Sequence, residues 1–393
     1  MAGKASRDKK PAGSVIFTGH YSYLWRIISP HTAMKYRILL TVISLSLLLP
    51  QDADAQEAHG GTEADQRYGV TEFSVNFMRE KPDFPEELGN QLLMGTPVKI
   101  TGREGYWLRV VSPEPYQAWC VEKGIVEMDR EEARRYVSAR KYIVTTEYSH
   151  VFTEADEDSE RISDLVAGDL LRIAFKEGGG MASDTARKCI PARKKGFVKV
   201  LMPSGTEGYV RRRDVEEFGK WAATREATPG NIVRTAMMFL GIPYQWGGTS
   251  VKGMDCSGFT RMVWFMNGVL LPRNASQQAM SGEKIPYPGK SGVEIQEGTI
   301  RSYVAALEPG DLLFFGNGQK ATHVGIYIGG GQFIHASQKV RISSLIPGEA
   351  GFYEHSSRLM WACRVIGQED KGTGVTSMLK SPAYFPGEET GHE

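Results

Sequence analysis

The sequence is poor in several features that would assign it to a common class of protein. It contains four cysteines, namely Cys120, Cys189, Cys256 and Cys363. They lie far apart and form no Cys-x-x-Cys pair, which disfavours a zinc knuckle or a disulfide-dense scaffold. Lys and Arg total 47, against 46 for Asp and Glu. Because the charge nearly cancels and no basic run is interleaved with aromatic residues, we expect no nucleic-acid partner.

The chain also lacks an apolar run long enough to form a resident transmembrane helix. Ile38–Leu49 is a mostly apolar run, well short of the roughly 20 residues that a span needs. Met34–Arg37 precedes it as a short basic start, and Ala53–Ala55 follows as an A-x-A cleavage site. We therefore predict an upstream extension and a secretory signal peptide over residues 1–55, with Met34 as the expected start.

Export to the periplasm or the extracellular space follows from this signal. No cysteine directly follows the apolar run as a lipid attachment site, so we expect no stable membrane anchor. In an oxidising compartment a bridge between Cys120 and Cys189 stays open as an alternative to burial. The chemistry below requires that Cys256 remain free.

Two stretches, 68–129 and 141–217, share a pattern of short β-strands between turn signals. In each, a first strand leads to an aromatic-containing strand and then to an aromatic-valine strand, as in Tyr106–Val110 and Gly196–Val200. This weak repeat of roughly seventy residues predicts two small all-β domains. A charged linker or short helix separates them.

The character of the chain changes near Thr228, a plausible helix cap followed by proline. Apolar residues then recur at helical spacing, and strand signals come later, so 229–367 predicts a domain of the α+β class. The composition after Gly367 turns to Gly, Glu, Lys, Thr and Pro. We interpret residues 368–393 as a disordered tail.

Cys256 is the first candidate catalytic residue, because it stands at the predicted start of a helix. Phe259, Val263 and Met266 follow at three- and four-residue steps, the spacing of one helix face. The positive end of a helix dipole and its unpaired N–H groups favour thiolate over thiol. The alternative is a small buried apolar residue.

Two histidines follow on a predicted hairpin around Gly329-Gly330-Gly331. If all three glycines form the loop, Gly325 lies opposite His335, and His323 is diagonal to His335 on the same face at about 7–8 Å. A two-residue loop would put the histidines on opposite faces. Together with the thiol, the pattern predicts Cys256 as nucleophile, His323 as general base then acid, and His335 as orienting residue. The alternative for His323 alone is a core or edge-strand histidine, and for His335 alone a structural role is favoured over a catalytic one.

At this point the order and spacing of the motifs resemble the NlpC/P60 cysteine peptidases over about residues 229–366. The motifs are Pro243–Ser250, Asp255–Phe259, Leu271–Arg273, Pro309–Leu312, His323–Tyr327 and Ile334–Ala336. The resemblance implies a papain-like fold with a Cys-His-His triad, no metal and no cofactor. The two all-β copies resemble bacterial SH3-like barrels, and the whole chain more narrowly resembles the γ-D-glutamyl-L-diamino acid endopeptidases of murein peptides.

The function implied is hydrolysis of the amide between γ-D-Glu and the diamino acid of a peptidoglycan-derived peptide with a free N-terminal L-Ala. We expect the enzyme to be a monomer. A related amidase or acyl transferase on cell-wall peptides, and a non-enzymatic wall-binding protein, remain as alternatives. Neither the diamino acid nor the choice between free peptide and intact wall follows from the sequence.

The same resemblance implies four substrate-binding residues. Tyr116 and Asp255 would hold the amine of L-Ala, while Ser257 and Ser276 would hold the D-Glu carboxylate. From the residues alone, Asp255 is equally a helix cap and Ser257 a partner of a first-turn amide. Tyr244 and Trp246 either line the cleft or pack beneath it, and for Trp246 we favour packing.

Overall fold

The structure is a computed structural model that describes residues 66–174 and 196–386. The predicted extension and signal peptide, and Cys189 with its possible bridge, lie outside the described residues. Within the described ranges, no helix has both the length and the apolarity needed to cross a membrane.

The first part of the described chain is one antiparallel sheet of seven strands, in the order β3-β2-β6-β5-β4-β1-β7. The strands are β1 (Arg67–Thr71), β2 (Val75–Arg79), β3 (Leu88–Leu93), β4 (Pro97–Glu104), β5 (Trp107–Val111), β6 (Gln117–Val121) and β7 (Ile125–Met128). Alternating residues such as Met78, Leu108 and Val110 form its buried core.

Helix α1 (Arg130–Ser138) links this sheet to a second one. Asp129 caps the helix by accepting from the backbone N–H of Glu132, whose side chain accepts from the backbone N–H of Asp129 in return. The second sheet contains β8 (Lys141–Val144), β9 (Tyr148–Phe152), β10 (Arg161–Val166), β11 (Leu170–Ile173), β12 (Phe197–Leu201), β13 (Glu207–Arg211) and β14 (Val215–Glu217).

The second sheet repeats the topology of the first strand for strand, with the order β10-β9-β13-β12-β11-β8-β14. The N-terminal half therefore agrees with the predicted all-β character, and the internal repeat is visible as one strand order used twice. In both copies the strand order runs from one edge to another without closing into a barrel.

The C-terminal part mixes helices with a six-stranded antiparallel sheet of order β18-β23-β19-β20-β21-β22. The helices are α2 (Phe218–Ala223), α3 (Pro229–Met238), α4 (Cys256–Phe265), α5 (Ala275–Gln278) and α6 (Glu297–Val304). The strands are β15 (Thr249–Ser250), β16 (Gly253–Met254), β17 (Val269–Leu270), β18 (Glu283–Pro286), β19 (Leu312–Gly316), β20 (Ala321–Gly329), β21 (Gln332–Ser337), β22 (Lys339–Ser344), β23 (Leu359–Arg364) and β24 (Thr376–Ser377).

Both faces of this sheet are buried, which explains why β19 is apolar throughout. On one face Phe259 and Val263 of α4 share a core with Val324 of β20. On the other face Phe315 and Phe333 share a second core that includes residues of α6. The mixed helix and sheet architecture confirms the α+β prediction, and α4 is held against the sheet by the apolar stripe that predicted it.

The predicted disordered tail is wrong for residues 368–386. Strand β24 pairs with β17, and Val375, Met378 and Tyr384 are buried. The composition of this segment is polar, but a few apolar side chains fill positions in the core around α4, which composition alone does not reveal. Residues 387–393 lie outside the described residues.

Candidate active site

Cys256 is the first residue of α4, and its side chain is buried. Asp255 caps the helix by accepting from the backbone N–H of Gly258 at 2.7 Å. The backbone N–H groups of Val324 and Ser257 are close enough to the sulfur to lower the pKa of the thiol. Because Val324 directly follows His323 in β20, the thiol lies next to the strand that carries this histidine.

The β20–β21 hairpin brings the two histidines together by a route that the sequence did not predict. The loop is Gly330-Gly331, a two-residue turn whose positive φ angles of 62° and 78° suit glycine. A bulge at Ile328 shifts the register between Tyr327 and Gly329. The extra residue restores the pairing of Ile326 with Ile334, so Gly325 stands opposite His335 as predicted, although the loop itself is shorter.

His323, His335 and Ser343 form a hydrogen-bonded row across three neighbouring strands. His323 Nε2 lies 2.7 Å from His335 Nδ1, and His335 Nε2 lies 3.0 Å from Ser343 Oγ. Gly325 gives the row its room, since a Cβ at this position would come within 3.0 Å of His335 Cβ. The Nε2 contact leaves Nδ1 as the second ring nitrogen of His323.

Burial sets the protonation of these groups. It raises the pKa of the Cys256 thiol to about 12, and the neighbouring Asp255 carboxylate acts in the same direction. Burial lowers the pKa of His323 to about 4, with Arg358 and His355 adding to the effect. The sequence predicted that the helix start would favour thiolate. In the structure, desolvation outweighs the N–H groups, so the resting pair is a neutral thiol beside a neutral imidazole.

A cavity of about 330 Å³ opens onto Cys256. It is lined in part by loop residues that directly flank strands of the first sheet, namely Glu80, Glu87 and Tyr116. The floor and walls come from the C-terminal part and include Tyr244, Trp246, Asp255, Ser257, Arg273, Ser276, Lys320 and Thr322. All four predicted substrate-binding residues therefore line one cavity together with the thiol.

Asp255 is engaged more fully than a helix cap requires. Its carboxylate accepts from both Nη atoms of Arg273, at 2.5 and 3.1 Å. It also accepts from the backbone N–H of Gly247 and from the Ser257 hydroxyl. Both Asp255 and Arg273 are buried, so the negative charge of the carboxylate is largely balanced within the protein.

Arg273 ties this network to the first sheet. Its Nε donates to Asn90 Oδ1 in β3 at 2.8 Å, and its Nη1 donates to Ser257 Oγ at 3.0 Å. Close to it, Gly247 approaches the backbone of Leu88 so closely that a Cβ would lie 2.2 Å from the Leu88 oxygen. The first sheet is therefore packed tightly against the cleft.

The remaining predicted residues occupy distinct positions around the cavity. Tyr116 donates its hydroxyl proton to Glu80 Oε1 at 2.5 Å. Ser276 lies in the short helix α5 and is half-buried. Burial raises the pKa of the Tyr244 phenol, so the hydroxyl stays protonated. Trp246 is 61% exposed at the rim, so the interpretation of this side chain as packing is wrong.

Sequence reasoning missed three residues of the site. Arg273 belongs to the motif Leu271–Arg273, but the sequence did not predict its ion pair with Asp255. Ser343 lies on the same face of the sheet as His335, because it is two residues from Arg341, which pairs with His335. A single serine in a strand does not by itself indicate a functional role. Glu80 directly follows β2 of the first sheet, and no local pattern connects it to Cys256. The described residues contain no group of three His, Cys, Asp or Glu side chains that would hold a metal ion.

Comparison with known proteins agrees with this geometry. Residues 241–358 match the model of the NlpC/P60 family. Dipeptidyl-peptidase 6 of Lysinibacillus sphaericus is 28% identical over 270 residues, which cover 67% of this chain and 87% of that protein. The gamma-D-glutamyl-L-lysine dipeptidyl-peptidase of Bacillus subtilis strain 168 is 28% identical over 286 residues, 70% of this chain and 83% of that protein.

A solved structure shows a similar fold along most of the chain. The NlpC/P60 family protein from Bacillus cereus ATCC 10987 superposes with a TM-score of 0.59 at 22% identity. The match covers 76% of this chain and 99% of that one. The N-terminal sheets and the C-terminal domain thus occur together in a protein of known structure.

Proposed function

Because the C-terminal domain of this chain is an NlpC/P60 domain and the chain is a cysteine peptidase, we propose that it hydrolyses the γ-D-glutamyl–diamino acid amide of murein peptides. The observation that carries the proposal is the thiol of Cys256, next to the strand of His323 and the His323–His335 pair, at a cavity that residues of the N-terminal part also line. The name of the similar Bacillus subtilis protein, a gamma-D-glutamyl-L-lysine dipeptidyl-peptidase, supports a bond of the same type.

The first sheet supports release of a dipeptide from the amino end of the substrate. Gln91 of β3 accepts from the Thr249 backbone and from the Ser250 hydroxyl, both at 2.9 Å. These contacts and the close approach at Gly247 hold the sheet across one end of the cleft. We propose that both N-terminal copies are SH3-like. We also propose that the first copy closes the cleft, so that only two substrate residues fit on the amino side of the scissile bond.

We propose Glu80 and Tyr116 as the principal partners of the free L-Ala ammonium. Glu80 is exposed to the cavity, accepts from Tyr116, and pairs with no cation among the described residues. Asp255, the partner implied by the resemblance, already shares its charge with Arg273 and accepts from three further groups. Its contribution to the ammonium is therefore small, and its main roles are to cap α4 and to fix Arg273.

The D-Glu α-carboxylate fits the opposite wall of the same cavity. The resemblance implies Ser257 and Ser276 as hydroxyl donors there; Ser257 donates its proton to Asp255 in the structure, so it must turn that proton toward the carboxylate when substrate binds. The guanidinium of Arg273 lies directly behind the Ser257 hydroxyl and adds a positive charge. A carboxylate in this position receives charge-assisted hydrogen bonds, which are stronger than neutral ones.

The proposed reaction begins from the neutral pair. Nδ1 of His323 takes the thiol proton as the Cys256 sulfur attacks the γ-carbonyl carbon. For Nδ1 to be a free acceptor, the His323 proton must sit on Nε2 and be donated to His335 Nδ1, and His335 must then donate from Nε2 to Ser343. His335 and Ser343 thus fix the tautomer that the base needs.

The oxyanion is then held by the backbone N–H of Cys256 and the Tyr244 hydroxyl, which stays protonated. Collapse of the tetrahedral intermediate breaks the C–N bond. The imidazolium of His323 gives its proton to the departing amine and leaves a γ-glutamyl thioester on Cys256. Water, deprotonated by the same imidazole, hydrolyses the thioester and releases L-Ala-D-Glu. We also propose that the enzyme works outside the cytoplasm as a monomer.

The test is incubation of the protein from residue 56 onward with L-Ala-γ-D-Glu-diaminopimelate, with products identified by mass. The proposal predicts L-Ala-D-Glu and free diaminopimelate. Release of L-Ala alone would indicate an amidase of different regiochemistry. Formation of a new amide with added glycine in place of the free acid would indicate an acyl transferase, and absence of any product would indicate a binding protein.

A further inference from the structure

The second sheet contacts both parts of the chain that build the cavity at Cys256, but it does not line that cavity itself. The lining residues come from the first sheet with its loops and from the C-terminal part, and none of the described residues of β8–β14 is among them. The contacts of the second sheet with its two neighbours are therefore what relates it to the cleft.

Two turns dock the first sheet onto the second. The Asp169 carboxylate, which is fully buried, accepts from the backbone N–H of Met94 at 2.9 Å. The backbone N–H of Leu170 donates to the Met94 carbonyl at 3.0 Å. Gly95 lies so close that a Cβ there would come within 2.4 Å of the Leu170 oxygen. The end of β3 is therefore fixed against the turn between β10 and β11.

The same turn of the second sheet also contacts α4. A Cβ at Gly168 would lie 2.6 Å from Leu93 Cδ1 of the first sheet and 2.9 Å from Met262 Cε of α4. Ala167 and Leu170 belong to the hydrophobic core that contains Met262. The second sheet is therefore packed against the helix that begins with the proposed nucleophile.

A polar cluster of Ser74, Asp164 and Lys252 joins all three parts of the chain. Lys252 Nζ lies 2.6 Å from Asp164 Oδ2 and donates to Ser74 Oγ at 2.8 Å. The Ser74 hydroxyl donates to Asp164 Oδ1 at 2.7 Å, and Tyr148 of β9 donates to Asp164 Oδ2 at 3.1 Å. An isolated ion pair at a surface contributes little, whereas this pair is part of a network in which each member has two or more partners.

The cluster is connected to the cleft by two short segments. Ser74 directly precedes β2, and Glu80, the proposed partner of the L-Ala ammonium, directly follows the same strand. Because β2 lies between β3 and β6 in the sheet, it moves with them as one unit. Lys252 lies in the turn between β15 and β16, which leads directly to Asp255 and Cys256. A shift of Ser74 relative to Lys252 would therefore change the separation between the amine partner and the thiol.

We propose that Lys252 is a positioning residue for the selection of a free amino end. It binds Asp164 and Ser74 together, and so holds the first sheet at the distance from Cys256 that admits two residues with a free amine. The second sheet acts as the bracket that makes this contact possible. The inference rests on the proposed function and adds the residues that enforce its amino-end requirement. Because a sheet that is already fixed need not be ordered when substrate binds, loss of the contact affects KM more than kcat.

The experiment measures kcat and KM for L-Ala-γ-D-Glu-diaminopimelate and for its N-acetylated form. Lys252→Met keeps an unbranched side chain but removes the charge and the donors. We expect KM for the free peptide to rise several-fold with little change in kcat, and the ratio of the free and acetylated kcat/KM values to fall several-fold. Lys252→Arg keeps a cation that can bind the Asp164 carboxylate and should keep most of the wild-type ratio.

Further variants assign the effect to the ion pair. Asp164→Asn should lower the ratio as Lys252→Met does, and the double variant should lower it no further, because both changes remove one interaction. The two substitutions change the net charge in opposite directions, so a long-range effect of charge on the ammonium would shift the ratio in opposite directions. Glu207→Gln is the matched control. It removes an ion pair of the same length, 2.6 Å to Lys199, inside the second sheet and should leave the ratio unchanged.

An unchanged ratio in Lys252→Met and Asp164→Asn would overturn this inference while leaving the proposed function standing, and so would losses that add in the double variant. If kcat/KM falls by the same factor for both peptides and the Tm is lower, the ion pair contributes to stability alone and the inference is wrong. Hydrolysis of neither peptide by the wild-type protein would overturn the proposed function and the inference with it.

Discussion

His323 Nε2 and His335 Nδ1 lie 2.7 Å apart, although twelve positions separate the two residues in the chain. The contact depends on a bulge at Ile328 that keeps both side chains on one face of the sheet. It engages Nε2 of His323 and leaves Nδ1 for the proposed role of accepting the thiol proton. The geometry of the proposed base is therefore set by its neighbours in the sheet rather than by His323 alone.

Removing the orienting residue should lower the chemical rate more than substrate binding. In His335→Ala, the His323 ring loses its acceptor and can adopt the inactive tautomer. We expect kcat to fall by roughly 10²–10⁴-fold with little change in KM, by analogy with the loss of the tautomer-holding group in a catalytic triad. Steady-state kinetics with the diaminopimelate tripeptide checks this. A KM increase at unchanged kcat would contradict the orienting role.

The pH profile should reflect a buried base. His323 acts only when neutral, and burial lowers its pKa to about 4. As the pH falls, the activity should therefore persist through the ordinary histidine range near 6.5 and decline only toward pH 4. Measurement of kcat/KM between pH 4 and 8 checks the position of the acid limb. A limb centred near pH 6.5 would show that His323 is not desolvated in the free enzyme.

Glu80→Gln should weaken the discrimination between free and blocked amino ends. The variant keeps the shape and the hydrogen bond to Tyr116 but loses the charge that faces the ammonium. We expect kcat/KM for the free tripeptide to fall about tenfold or more, while the low rate on the N-acetylated tripeptide changes little. Glu86→Gln, in the same loop between β2 and β3 and paired with Lys81, is the control. If kcat/KM falls by the same factor for the free and the N-acetylated tripeptide, Glu80 has no specific role toward the amine.

Deletion of the C-terminal segment should destabilise the fold. A chain ending at Gly367 loses the buried side chains of Val375, Met378 and Tyr384, each worth about 1.5–3 kcal/mol when fully buried. We expect a clearly lower Tm in thermal unfolding. A chain ending at Pro386 keeps all three side chains and should retain the Tm of the full-length protein. Equal Tm values for the two truncations would contradict the packing described for this segment.

The parts of the site that could be predicted are those with a local pattern. Cys256 has a cap before it and a helical stripe after it, and alternation placed His323 and His335 on one face. The short loop was not predicted, because three glycines are compatible with several turns. The bulge at Ile328 adds one residue to β20 and so restores the register that a three-residue loop would have given.

The parts that could not be predicted depend on contacts between distant segments. Asp255 and Arg273 are joined only after α4 and the following loop fold together, so the capping carboxylate did not reveal its ion pair. Glu80 meets the cleft because the first sheet docks at Gly247. Desolvation of the thiol is likewise a property of the packed core, and a helix start in the sequence gives no measure of it.

The most direct test of the central claim is the fate of the tripeptide L-Ala-γ-D-Glu-diaminopimelate when single cysteines are removed. Cys256→Ala should abolish the release of L-Ala-D-Glu, followed by mass, because no other described side chain near His323 can form the thioester. Cys363→Ala removes another buried free cysteine and should retain activity near the wild-type level. Undiminished release of L-Ala-D-Glu by Cys256→Ala would contradict the account.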